Sequence, residues 1–252
     1  MDFKNKKILI TGASRGIGRA TAIEFAKLGG LVGINYACND AEAEITLAML
    51  ENSGHKLFKS DISKIDSQKK LIDNFVSEYG GIDVLINNAG IIQKHEIDKI
   101  SFESWQNSWQ QIFDTNLFAA ANLCFLASGY MIKQGGGHIV NVSSRGAFRG
   151  EPDIPAYGAS KAALNSLTQS LAKKLAKYNI SVTAVAPGFV DTDMGTSGLT
   201  DTELQAILNE NPMGRMATAG EVAHSIVFLA SEKAAYNTGT IIDINGASYL
   251  RT

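Results

Sequence analysis

Short apolar runs alternate with longer helical stretches along the whole chain, and this alternation limits the fold more than any other feature. Lys7 to Ile10, Leu31 to Asn35, Val84 to Asn87, His138 to Val142, Ser181 to Ala186 and Thr240 to Ile244 read as strands buried on both faces. Lys56 to Ser60 adds a seventh strand-like run. Between them, the spacing predicts helices from about Arg19 to Leu28, Ala41 to Asn52, Ser67 to Tyr79, Trp109 to Met131, Ala156 to Tyr178 and Ala219 to Ser231. The first stops at Gly29-Gly30, where glycine supplies the left-handed residue that closes a helix. Each right-handed crossover lays its helix on the sheet, so the pattern predicts a doubly wound α/β fold: a parallel β-sheet of about seven strands flanked by helices on both faces. No repeat, linker or composition shift divides residues 1–252, which gives a single domain. Only Pro187 to Met216 breaks the alternation, with one helical pattern near Thr202 to Leu208. Long irregular segments in compact domains are usually functional, so a substrate lid is expected at about 191–216, with Gly188, Gly195 and Gly198 giving backbone freedom.

The loop after the first strand reads Thr11-Gly12-Ala13-Ser14-Arg15-Gly16-Ile17-Gly18. A glycine loop between a strand and a helix lets the backbone approach a pyrophosphate, while the helix offers unpaired N–H groups and its positive dipole end. The pattern predicts a Rossmann-type dinucleotide site, with a tight strand–helix turn as the other reading, although the Gly-x3-Gly-x-Gly spacing departs from the commonest fingerprint. At the end of the second strand, Asn35-Tyr36 stands where an NAD-preferring site places an acid. A neutral Asn35 tolerates a 2′-phosphate and Arg15 can pair with one, which favours NADP(H) over NAD(H). Asp61, followed by Ile62, has two readings: acceptor for an adenine amino group, or cap of its own turn.

The second cluster carries chemistry. Tyr157 and Lys161 lie four residues apart on one helical face, where the ammonium would favour the phenolate and bring a phenol of pKa about 10 towards neutrality. Such a tyrosine can exchange a proton with a substrate oxygen while hydride moves at the neighbouring carbon. Ser143 and Ser144 end the preceding strand and point to opposite faces, so one of them can hydrogen-bond the substrate oxygen. Asn116 fits two roles, a satisfied core amide or the anchor of a water that resupplies the proton through Lys161. Arg145, Phe148, Arg149 and Glu151 lie between Ser144 and Tyr157, where they either select a polar substrate or pair with one another.

Thr11-Gly12-x3-Gly16-x-Gly18, Asn87-Asn88-Ala89-Gly90, Asn116, Ser144, Tyr157-x3-Lys161 and Pro187-Gly188-Phe-Val190-Asp-Thr192 together resemble the motif set of the short-chain dehydrogenases/reductases, over about Lys6 to Leu250. The resemblance selects Ser144 over Ser143. It implies that Asn116 holds the relay water and that Lys161 also binds the nicotinamide ribose. It further implies that Asn88, Ala89 and Gly90 line the cofactor, that Val190 and Thr192 meet its carboxamide region, and that the assembly is a homotetramer. Pro187 to Met194, Gly214-Arg215 and Ala235 to Gly246 are most similar to the 3-oxoacyl-carrier-protein reductases. Those enzymes dock an acidic acyl carrier protein through basic residues, and Gly135 and Tyr178 stand at two such positions here, with Lys133, Lys174 and Lys177 nearby. Relative to those reductases, a few residues are inserted around Ser101 to Ser108, before a Trp109 that matches a family tryptophan, and are expected to reshape the mouth.

The expected activity is therefore reversible hydride transfer between NADP(H) and a carbonyl or secondary alcohol, with 3-oxoacyl thioesters, sugars and polyols as substrate classes. A non-catalytic NADP(H) sensor or assembly subunit is the reading of another class. The formal charge of −2 gives no general attraction to nucleic acid or anionic lipid. The basic run Lys4 to Lys7 precedes only Ile8-Leu9-Ile10, too short for a signal sequence, and no segment reads as a span of about 18 apolar residues. Cys38 and Cys124 lack disulfide or metal spacing and the four histidines are scattered, so a cytoplasmic protein without a metal is expected.

Overall fold

Seven short runs hydrogen-bond into one parallel sheet, the central ones because they have no polar face to leave in water, while the edge run at Lys56–Lys59 keeps its two lysines exposed. They are β1 (Lys7–Ile10), β2 (Leu31–Tyr36), β3 (Lys56–Lys59), β4 (Val84–Asn87), β5 (Gly137–Val142), β6 (Ile180–Pro187) and β9 (Ile241–Ile244). Two further strands, β7 (Val190–Asp191) and β8 (Ala217–Thr218), pair only with each other. The sheet order is β3-β2-β1-β4-β5-β6-β9, with Ile10 beside both Ile34 and Ile86. Order reverses between β1 and β4, which opens a crevice at the carboxyl ends of those strands. The computed structural model describes residues 1–196 and 200–251.

The helices are α1 (Gly16–Lys27), α2 (Asp40–Ala48), α3 (Ile65–Tyr79), α4 (Phe102–Phe113), α5 (Ala119–Gln134), α6 (Pro155–Leu175), α7 (Asp193–Thr196), α8 (Asp201–Glu210) and α9 (Ala219–Leu229). Successive strand residues face opposite sides, so β1 feeds two cores. Ile8 and Ile10 pack with Phe25 of α1 and Ile226 of α9. Leu9 packs on the other side with Phe75 of α3 and Leu123 of α5. This two-sided burial makes the strand ends a rigid platform for the crevice.

The structure departs from the sequence reading along its helices. The helix expected to reach Asn52 ends at Ala48, and Asn52 lies in the left-handed region with φ of 74°. The helix expected from Trp109 begins at Phe102, where the Ser101 side chain accepts the Ser104 N–H, and a π-helical turn at Asp114–Phe118 separates α4 from α5. One extra residue in that turn rotates Asn116 into the interior. The continuous helical stretch Phe102–Gln134 is, by length and composition, apolar enough to cross a membrane, contrary to the sequence reading. Its Leu123, Cys124, Ala127 and Met131 are buried in the core under the sheet, which accounts for that hydropathy.

The described residues of 191–216 are more regular than expected. β7 and β8 pair at the base of the segment, and α8 starts with a capping box in which Thr200 and Glu203 satisfy each other's backbone N–H groups. Ion pairs tie this segment to the rest of the chain: Asp193 to cavity-lining Arg15, Glu203 to Lys94, and Glu210 to Arg149. Gly198, expected to loosen the segment, lies outside the described residues.

Candidate active site

The crevice is a cavity of about 530 Å³ walled by the glycine loop, the carboxyl ends of β2, β4, β5 and β6, and the start of α6. Thr11 ties its floor together: its hydroxyl donates to the Ile86 carbonyl at 3.3 Å and accepts the N–H groups of Asn88 and Ala89 at 3.0 Å each. Asn88 returns two bonds, from its amide to the carbonyls of Thr11 (2.8 Å) and Gly12 (3.0 Å). Gly18 has no room for a side chain, because a Cβ there would lie 2.5 Å from the Gly12 oxygen and 2.6 Å from the Asn88 amide nitrogen. α1 begins without a side-chain cap, so its first N–H groups are left for an anion beside cavity-lining Ser14, Arg15, Gly16 and Ile17. These features suit a dinucleotide.

At the ribose end, the structure changes the reading of Asn35. Its amide nitrogen is committed to the carbonyls of Phe58 and Ser60, both at 3.0 Å, and the residue is buried. Asn35 thus fastens β2 to β3, and only its neutrality bears on a phosphate. Tyr36 likewise donates its hydroxyl to Asp40 at 2.9 Å. Exposed Arg15 is the cation on this wall, 3.3 Å from Asp193. Asp61 caps its own turn by accepting from the Ser63 N–H (3.0 Å) and hydroxyl (2.8 Å), while Asp61 and Ile62 also line the cavity. Pro187, Gly188, Val190 and Thr192 line the opposite wall.

At the chemical end, Ser144 and Tyr157 both line the cavity. Burial pushes the Tyr157 phenol above its ordinary value, a hydrogen bond from Ser144 pulls it back, and the Glu151 carboxylate pushes it up again. Ser143 faces away, its hydroxyl donating to the Lys161 carbonyl at 3.3 Å. Lys161 is buried, donates its ammonium to the Val142 carbonyl at 2.8 Å and sits 5.8 Å from the Tyr157 ring centroid. Burial draws it down to about 8. The sequence reading had Lys161 lowering the phenol; in this geometry its charge is directed at a carbonyl, and burial of the phenol wins. Gly90 lets two groups converge, since a Cβ there would lie 3.3 Å from the Asn116 side-chain oxygen and 3.4 Å from the Lys161 ammonium nitrogen. Asn116 accepts the Ile91 N–H (2.8 Å) and donates to the Ile91 carbonyl (3.0 Å) and Ser160 hydroxyl (3.3 Å).

Residues 12–247 match the family described as enoyl-(acyl carrier protein) reductase. The chain belongs to the short-chain dehydrogenase/reductase family. Its relatives include a 3-oxoacyl-[acyl-carrier-protein] reductase of Staphylococcus epidermidis, 37% identical over 98% of this chain and 100% of that protein. One from Staphylococcus aureus is 38% identical over 97% and 98%. Among solved structures, a putative short-chain alcohol dehydrogenase from Sinorhizobium meliloti superimposes with a TM-score of 0.90 at 31% identity, covering 98% of this chain and 97% of that one. A short-chain dehydrogenase from Burkholderia cenocepacia, in complex with NADP, gives 0.89 at 28% identity, covering 98% and 99%.

In this family member, sequence reasoning passed over the residues that hold the others. Ile91 engages Asn116 through its backbone and Ser160 sits under Tyr157, and neither belongs to a motif; Thr11 heads the glycine-loop motif, but its role in knitting that loop to β4 is not readable from it. Arg145, flagged from sequence, is buried, donates to the Ser248 hydroxyl at 2.7 Å, lies 3.3 Å from Glu210 and stacks 5.1 Å from the Phe189 ring. Glu151 lies 3.8 Å from Arg149, and burial raises its carboxyl against the pull of Arg149 and Arg145. Glu151→Gln removes the charge that disfavours the Tyr157 phenolate, so Tyr157 ionises at lower pH. The acid limb of the pH profile for alcohol oxidation is expected to shift to lower pH above the range in which Glu151 itself protonates. An unmoved limb in that variant would show that Glu151 does not act on the phenol.

Proposed function

We propose that this chain is an NADP(H)-linked oxidoreductase that interconverts a carbonyl and a secondary alcohol, with 3-oxoacyl thioesters as the first substrate class. The observation that carries the reaction type is the convergence of Tyr157, Ser144 and Lys161 on the cavity that the glycine loop also walls. The nicotinamide, when bound, supplies or accepts the hydride. Tyr157 gives its proton to the substrate oxygen during reduction and takes it back during oxidation. Ser144 orients that oxygen and donates to it as negative charge develops. Lys161, titrating near 8, carries a positive charge at neutral pH and holds the cofactor's ribose. Asn116, whose side-chain amide is already engaged by Ile91 and Ser160, keeps one lone pair of its oxygen for the water from which the proton is replaced. Gly12, Ser14, Arg15, Gly16, Ile17 and Gly18 hold the phosphates, with Arg15 on the 2′-phosphate. Tyr36, Asp61 and Ile62 border the adenosine; Asn88, Ala89, Gly90, Pro187, Gly188, Val190 and Thr192 border the nicotinamide half.

The names of the full-length relatives support the thioester class. Acyl carrier protein as the donor is less well supported, because Gly135 closes α5 in a left-handed turn and Lys177 lies over the Tyr178 ring at 4.9 Å. A polyol or sugar is the second reading, favoured by polar Arg145 and Glu151 on the cavity lining, although the two are already paired with Glu210 and Arg149 respectively. A homotetramer fits exposed Phe118 and Phe125 at and beyond the π-helical turn, and free Cys38 and Cys124 fit a cytoplasmic setting. Residues 191–216 act as the lid.

The test is nucleotide absorbance with NADPH or NADH against acetoacetyl-coenzyme A, sugars, polyols and small diketones. Turnover of the thioester with NADPH preferred over NADH is the expected result. Turnover of polyols alone removes the thioester class, a preference for NADH removes the Arg15 argument, and binding of NADPH without any turnover turns the reading towards a sensor.

A further inference from the structure

His95 stands outside every motif discussed above, yet it is buried where two parts of the site join. α6, which carries Tyr157 and Lys161, begins without a side-chain cap from its own N-terminal residue, Ile154. Pro155 at the first position has no N–H to satisfy. The N–H groups of Tyr157 and Gly158 turn back to the Ile154 carbonyl at 3.0 and 3.4 Å. That leaves the Ala156 N–H, immediately before Tyr157, and its acceptor is the His95 Nε2 at 3.1 Å.

The partners dictate the tautomer. Nε2 must offer a lone pair to a backbone N–H, while Nδ1 lies 2.8 Å from the Gln93 carbonyl and must donate its proton there. The His95 N–H adds a third tie, donating to the Asp153 carbonyl at 2.9 Å just ahead of α6. The ring itself is braced edge-on against Trp105 of α4 at 5.5 Å, and contacts through Trp109 and Phe113 continue to the π-helical turn that holds Asn116. The loop after Gly90 therefore reaches both sides of the chemistry, gripping Asn116 through Ile91 and the first turn of α6 through His95.

We propose that His95 is a positioning residue that caps the catalytic helix and fixes the Tyr157 phenol against Ser144. This rests on Tyr157 being the proton donor, which Tyr157→Phe tests separately. The discriminating pair is His95→Gln and His95→Asn. Glutamine places an amide oxygen where Nε2 lies and keeps the Ala156 bond. Asparagine reaches only the Nδ1 position and leaves that N–H without an acceptor.

The phenol is read by a tyrosinate absorbance titration of each variant, with Tyr157→Phe in the same background subtracted, and NADPH binding by its fluorescence. Turnover of the carbonyl found in the substrate screen is measured alongside. Asparagine is expected to shift the Tyr157 titration and lower kcat roughly tenfold to hundredfold, the cost of a displaced catalytic group, with NADPH affinity unchanged. Glutamine is expected to match the unaltered protein in both. An unshifted Tyr157 titration in the asparagine variant overturns the proposal, as does an equal shift in both variants or a kcat loss that merely follows lost NADPH affinity.

Discussion

Tyr157→Phe is expected to lower kcat by roughly 10²- to 10⁴-fold, the range that a positioned general acid contributes. The ring stays, so the packing at the start of α6 stays, and only the hydroxyl that meets Ser144 is lost. The dinucleotide lies mainly against the glycine loop and the ends of β4 and β6 in the proposed site, so NADPH affinity should change little. Intrinsic fluorescence or calorimetric titration with NADPH, beside steady-state rates, separates the two effects. A phenylalanine variant that keeps most of its activity would remove Tyr157 from the mechanism, whatever the substrate. Loss of NADPH affinity in step with kcat would instead make Tyr157 a binding residue.

That expectation was available from the spacing of Tyr157 and Lys161, but its electrostatic half was not. Helical geometry puts the pair on one face, and it says nothing of what else is within reach of the ammonium. The Val142 carbonyl takes that hydrogen bond, because β5 ends beneath the buried Lys161 side chain. Burial is likewise a property of the packed molecule: it raises Tyr157 and lowers Lys161 in opposite directions, as the loss of solvation must for an acid that ionises to an anion and a cation that neutralises.

The seven-stranded sheet was legible because burial on both faces leaves a plain signature in short runs such as Val84–Asn87. The π-helical turn was not, since Asp114 to Phe118 has the same helical spacing as its flanks. The extra residue shows only through Asn116, a polar side chain in an apolar run that finds its partners on Ile91 and Ser160. Asn35 misled for a related reason. Its place at the end of β2 was read correctly, but a buried amide needs partners, and this one takes the neighbouring carbonyls of Phe58 and Ser60. His95 was invisible because a histidine acceptor for a backbone N–H has no sequence pattern; its partner lies sixty-one residues away.

Gly18→Ala is expected to damage the nucleotide half as severely as Tyr157→Phe damages the chemical half. Gly18 is buried in the first turn of α1, and an added Cβ would come within 2.5 Å of the Gly12 oxygen, 2.6 Å of the Asn88 nitrogen and 2.8 Å of the Ala13 Cα. Two of those three atoms belong to backbone, which cannot swing aside as a flexible side chain does. Either the loop moves away from α1 or Asn88 gives up its bonds to Thr11 and Gly12, and both outcomes deform the wall facing the pyrophosphate. Overpacking of this kind costs about 1–3 kcal/mol. Gly129 of α5 is the matched control, with nothing within 4 Å of its added Cβ, so Gly129→Ala should stabilise the chain by about 0.5–1 kcal/mol through helix propensity. Denaturant unfolding of both variants, with NADPH titration of each, gives the comparison. Opposite signs in stability, with NADPH binding lost only in Gly18→Ala, would tie the glycine requirement to the crevice. Unimpaired NADPH binding by Gly18→Ala would place the pyrophosphate elsewhere, since no loop that has shifted to admit that Cβ can keep its N–H groups on the same anion.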